Sequence, residues 1–128
     1  MTVELTWLVY VAVLTSLLWI PYILNLIAVR GLTEAVGYPM NPKPIAAWAQ
    51  RLKAAHYNAV ENLVVFGVLI LVAHVSGVNN LATATCAMVY FWARVMHAVA
   101  YTFAIPWVRT LAFATGVGAN LCIAAQLL

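Results

Sequence analysis

AAHYNAVENLVVFGVLILVAHV, residues 54 to 75, decides the fold. At ~1.5 Å per helical residue this run is long enough to cross a hydrocarbon core ~30 Å thick, and Glu61 is its only formal charge. Three further runs repeat the pattern. Leu5 to Val29 carries no charge, Leu81 to Ile105 only Arg94, and Trp107 to Leu128 only Arg109 near its start. With 66% of the 128 residues hydrophobic and 7% charged, the composition belongs to the membrane class and excludes a soluble globular domain. The sequence predicts an all-α integral membrane protein, a bundle of four transmembrane helices forming one unit over residues 1–128.

The first run lacks the basic leader and short apolar stretch of a secretory signal, so it reads as a retained helix. Arg30, Lys43, Arg51 and Lys53 flank or occupy the first connection, whereas Ser76 to Asn80 contains no basic residue. The positive-inside rule then puts the first and third connections in the cytoplasm and both termini outside. The net charge of +3 is spread over loop margins and spans, with no basic patch to hold nucleic acid. Gly31, Gly37, Pro39, Pro42 and Pro44 break the long connection from Arg30 to Gln50, and Pro106 reads as a first-turn proline of helix four. Cys86 and Cys122 lie inside spans without metal-ligand spacing and read as reduced packing residues.

Ionisable groups inside a membrane are expensive and mark function. Here they fall in two strings. In RLKAAHYNAVEN, residues 51 to 62, a rotation of ~100° per residue gives Arg51, Asn58 and Glu61 a shared surface and turns His56 away from it. In RVMHAVAY, residues 94 to 101, Arg94, His97 and Tyr101 form one stripe that Tyr90 extends by a turn. Glu61 and Arg94 lie at comparable depths, ~10 and ~15 Å from the ends of their helices, so an ion pair between them is expected. Helix four opens PWVRTLAF, residues 106 to 113, where first-turn amides, Arg109 and the Thr110 hydroxyl make a positive field that would favour a thiolate. The histidines lack the spacing of a metal site, and without an aspartate no Ser-His-Asp arrangement exists. The donor set suits an anionic ligand that also carries an ammonium group.

These strings resemble the membrane-associated proteins in eicosanoid and glutathione metabolism (MAPEG). The matching text is AHYNAVEN at 55 to 62, FWARVMHAVAY at 91 to 101 and PWVRTLAF at 106 to 113, and the likeness is greatest to the family's small bacterial branch, which implies a bacterial inner membrane. The resemblance implies a homotrimer of four-helix bundles binding glutathione as cosubstrate between subunits. Carried over by position, Asn58 and Glu61 would hold the polar ends of the tripeptide, with Glu61 on its ammonium. Arg94, His97 and Tyr101 would line the pocket, Arg109 would sit by the sulfur, and Arg30 would match an arginine ending helix one. Arg51 and Thr110 join this candidate set from the residue pattern.

Ala54 and Tyr57 stand where some relatives carry arginine, and Phe113 where some carry tyrosine. The leading expectation is a glutathione-dependent transferase or peroxidase acting on lipophilic electrophiles from the bilayer. The alternative is a non-catalytic lipid-binding or scaffold protein of the same fold. A small multidrug exporter would need a glutamate in the middle of helix one, where this chain has Thr15, Ser16 and Asn25.

Overall fold

A computed structural model describes residues 1–128 and is helical throughout its regular structure. The first span is built from α1 (Val3–Leu17) and α2 (Trp19–Val36). Their junction at Leu18 follows from Pro21, which has no N–H to give the carbonyl four residues earlier and crowds that turn. Near its end α2 is interrupted again at Gly31, whose φ of 76° is open to a residue without Cβ. Helix α3 (Ala47–Ser76) is the longest, and α4 (Leu81–Thr102) and α5 (Val108–Leu127) complete the bundle. The first connection is therefore shorter than its prolines and glycines suggest, because α2 runs past Arg30 and α3 begins before Gln50.

Three of the four spans are long and apolar enough to cross a membrane: Val3–Val36, Ala47–Ser76 and Val108–Leu127. The remaining one, α4, is long enough but less apolar. Threonines, Arg94 and His97 dilute it, and Thr83, Arg94 and His97 are tolerated because they are enclosed by the bundle. Tyr90, Arg94 and His97 are all buried. Against α4 lie the small residues Ala112, Gly116 and Ala119 of α5, which allow close approach where both helices are immersed in lipid. Phe66 of α3 stacks on Tyr90 at 4.0 Å between ring centroids, and Val11, Ile70 and Ile123 close the same core. Only 24 of the 128 residues are buried. Exposed Val64, Val68, Leu71, Trp92 and Leu121 instead present an apolar exterior suited to lipid.

The end of the bundle bearing the chain termini is tied by polar contacts. Glu4 is buried and accepts the hydroxyl proton of Thr83, and Asn80 caps α4 through a reciprocal box with Thr83. Nearby, Cys86 and Cys122 are joined as a disulfide between α4 and α5. The expectation of two reduced packing cysteines is thus corrected: antiparallel helices bring together residues 36 apart in sequence, a pairing that spacing alone does not reveal. Helix four also begins later than expected. Pro106 lies outside the first turn, and Trp107 is the residue that precedes Val108.

Candidate functional site

Arg94 is the centre of the buried polar group, at 3% exposure. Its Nη2 donates to Oδ1 of Asn58 at 2.7 Å and approaches Nδ1 of His97 at 3.4 Å. Asn62 holds Asn58 in place by donating to its carbonyl and its side-chain oxygen at 2.8 and 3.3 Å. The expected ion pair with Glu61 is not formed. Asn58 faces α4, while Glu61, three residues on, is turned ~60° further round the helix and is exposed. A buried guanidinium is therefore held by neutral groups, and its Nε and the hydroxyl of Tyr90 have no partner.

One turn further along α4, Tyr101 meets His97 edge to face at 5.6 Å. The guanidinium of Arg109 lies over the Tyr101 ring, 4.6 Å from its centroid, within cation–π range. Arg51, Tyr101, Arg109 and Thr110 line one cavity of about 410 Å³, with Ala104, Pro106 and Trp107 at its wall. Arg51 also donates from Nε to the carbonyl of Thr102 at 2.9 Å, placing a cation at the negative end of α4.

The α4–α5 connection gives this cavity its shape. Helix α4 closes with hydrogen bonds from Ala104 to Tyr101 and from Ile105 to Ala100, the Schellman pattern, which favours glycine at the left-handed position. Ala104 occupies that position at φ 54°. Trp107 has φ 67° and ψ −44°, and Val108 N–H bonds Pro106 O at 2.8 Å. That is a γ-turn of the strained kind. Two non-glycine residues in costly conformations border one cavity, as happens where surrounding structure enforces a functional geometry. No side chain caps α5, so its positive end stands beside Arg109 and Thr110.

Of the nine candidate residues, the structure joins Arg51, Tyr101, Arg109 and Thr110 around the cavity and links Asn58, Arg94 and His97 behind it. Glu61 stands apart on the protomer's outer face. Arg30 lies apart from them within the protomer, donating from Nε to the Lys43 carbonyl at 2.7 Å and lining a second cavity with Tyr22, Gln50 and Lys53. His56, turned away from Glu61 as its position predicts, bonds the Tyr22 hydroxyl through Nδ1 at 2.7 Å. Asn25 is a role that sequence reasoning missed: its Oδ1 accepts the Ala46 N–H at 2.9 Å and so caps the approach to α3. Its signal was being the one amide in an uncharged span.

A four-helix membrane bundle with a cationic, aromatic-lined cavity at one end of its spans defines the class. The chain belongs to the MAPEG family, whose pattern matches residues 8–128. It is thus an integral membrane protein of the family concerned with eicosanoid and glutathione metabolism. No individual curated protein matches it.

Proposed function

We propose that the protein is a glutathione-dependent transferase or peroxidase acting on lipophilic electrophiles, with its site at the cavity between α4 and α5. The observation that carries this reading is the juxtaposition of Arg51, Arg109 and Thr110 with the uncapped start of α5 around about 410 Å³, a volume suited to a small ligand. Arg109 and the helix end would stabilise a thiolate. The sulfur would then attack an electrophilic carbon as the leaving group departs with its bonding pair. Arg94, buried without a carboxylate partner, adds positive potential behind Tyr101. The exposed carboxylate of Glu61 suits the ammonium group of a tripeptide held between protomers, and a homotrimer is the assembly this reading requires.

Basic residues concentrate at the end bearing the first and third connections, which supports a cytoplasmic site and termini on the opposite side; the bacterial inner membrane follows from the likeness to the family's small bacterial branch. The second reading, a non-catalytic lipid-binding scaffold, draws on Ala54 and Tyr57, where some relatives supply cations. Thiolate absorbance of glutathione titrated with the purified protein in detergent separates the two. Transferase chemistry requires ionisation at lower pH than in free glutathione. Binding without that shift, or no binding, sinks the proposal and leaves the scaffold.

A further inference from the structure

Two aromatic side chains line the cavity between α4 and α5, and only one of them is engaged. Tyr101 carries the Arg109 guanidinium over its ring and meets His97 at 5.6 Å. Trp107 stands on the same wall at 79% exposure, with its indole against no other ring or cation. We infer that this cavity takes a quinone as its electrophile, a flat, electron-poor ring stacked on Trp107 with its carbonyl oxygens at Arg109 and Thr110. The covalent step rests on the glutathione reading of the same cavity; the binding of the ring does not.

The polar lining offers donors and no carboxylate. Arg51 bonds the Thr102 carbonyl through Nε, which leaves its Nη groups for a ligand. Thr6, Thr15, Thr102 and Thr115 each donate to the carbonyl four residues back, a usual partner of a helical threonine hydroxyl. Thr110 makes no such bond. Four residues before it stands Pro106, whose carbonyl accepts the Val108 N–H in the γ-turn, so the turn that presents Trp107 also frees the Thr110 hydroxyl. A matching ligand brings acceptors and a flat π surface. Conjugated ring carbonyls supply both, an electron-poor ring suits the negative face of indole, and an alkyl electrophile offers neither. Phe103 and Ile105 beside the cavity are exposed and apolar, which gives a lipophilic ring a path from the bilayer. In the reaction the thiolate pair forms a C–S bond at a ring carbon conjugated with one carbonyl. The ring π pair moves onto that oxygen, where Arg109 and Thr110 donate to the developing charge, and the proton lost from the thiol returns there. The hydrogen on the attacked carbon then passes to the second oxygen. The product is a hydroquinone thioether, formed with no leaving group and no added oxidant.

The test uses the full chain in detergent and menadione, a methylated naphthoquinone, as the probe. The chain has no free cysteine, so menadione without glutathione can bind but forms no thioether with the protein. Tryptophan fluorescence should show a saturable quench in the wild type and in Trp92→Leu, an exposed tryptophan outside the cavity, and only a linear, non-saturating quench in Trp107→Leu. With glutathione present, the kcat/KM preference for menadione over iodohexane should fall about fivefold in Trp107→Leu, the worth of a stacked aromatic pair, and Trp107→Phe should restore most of it. A linear quench in the wild type, or a saturable one that survives in Trp107→Leu, overturns the inference and leaves Trp107 a headgroup anchor. Turnover of iodohexane without turnover of menadione also overturns it while the transferase reading stands. Saturable quenching with no turnover of either electrophile supports the ring site and sinks the transferase reading. Should Trp107→Leu not fold, the wild type decides through cyclohexanedione, which carries two carbonyls on a ring that is not flat. It should fail to reverse the menadione quench, and reversal as ready as that by a second naphthoquinone rejects stacking.

Discussion

Arg94 keeps a charge within the bundle by exchanging water for neutral dipoles, and Asn58 is the nearest of them. Removing that amide leaves a buried guanidinium with His97 as its remaining side-chain contact, so Asn58→Ala should lower stability by about 2 kcal/mol, the usual loss for a hydrogen bond to a charged group. Thermal unfolding in detergent without ligand measures it. Glu61→Gln should behave differently, leaving separated protomers no less stable while weakening glutathione binding, because Glu61 touches neither Arg94 nor the core. A fall in stability of the separated protomer would show that Glu61 is structural after all. For Arg109→Ala, turnover with a generic electrophile should drop on the order of 10²-fold and the pKa of the bound thiol should rise. These residue types were legible in the sequence because polar groups stand out in apolar helices. Their partners were less so: rotation about α3 put Asn58 and Glu61 within ~60° of each other, and only the packing of α4 decided which would meet Arg94.

Elements obey the same division between local and distant causes. Apolar run length fixed the spans, and Pro21 accounts locally for the break at Leu18. The α4–α5 connection, by contrast, reads as a short link with Pro106 in the first turn of the next helix, yet Ala104 and Trp107 adopt positive φ because two antiparallel helices must be joined within a few residues. Ala104→Gly should relieve part of this strain and raise stability by about 1 kcal/mol. Greater freedom around Trp107 and Arg109 should also reduce turnover, if the strained loop positions the start of α5. A melting curve and an activity assay on one preparation check both outcomes, and lowered stability would refute the strain argument. The disulfide belongs to this scale as well. Cys86 and Cys122 should resist alkylation until reduced, and reduction should destabilise the α4–α5 pair by up to about 3 kcal/mol. Thiol labelling followed by mass measurement reads the first, and melting with and without reductant the second.

On the scale of the whole molecule, a lipid-exposed exterior is expected nearly everywhere, and Glu61 contradicts it. A carboxylate within a span, on an exposed face and without an internal cation, is costly in hydrocarbon, by an amount comparable to the roughly 2.5–3.5 kcal/mol given by insertion scales for charged residues. No reading of one chain's sequence could tell whether that face meets lipid or protein, since both environments select apolar neighbours around it. Assembly resolves the conflict if a second copy covers Glu61 and supplies a cation or a shared ligand. For the homotrimer proposed above, mass measurement in mild detergent should give three protomers. Glu61→Leu provides the sharper comparison, because the two environments predict opposite signs. If the face meets lipid, leucine removes a penalty, so the protomer becomes more stable and remains single. If the face is an interface, leucine removes a polar contact between copies, so the trimer should dissociate at higher protein concentration than the wild type. A wild type that stays monomeric at every concentration, together with a stabilised Glu61→Leu variant, would reject both the assembly and the intersubunit site.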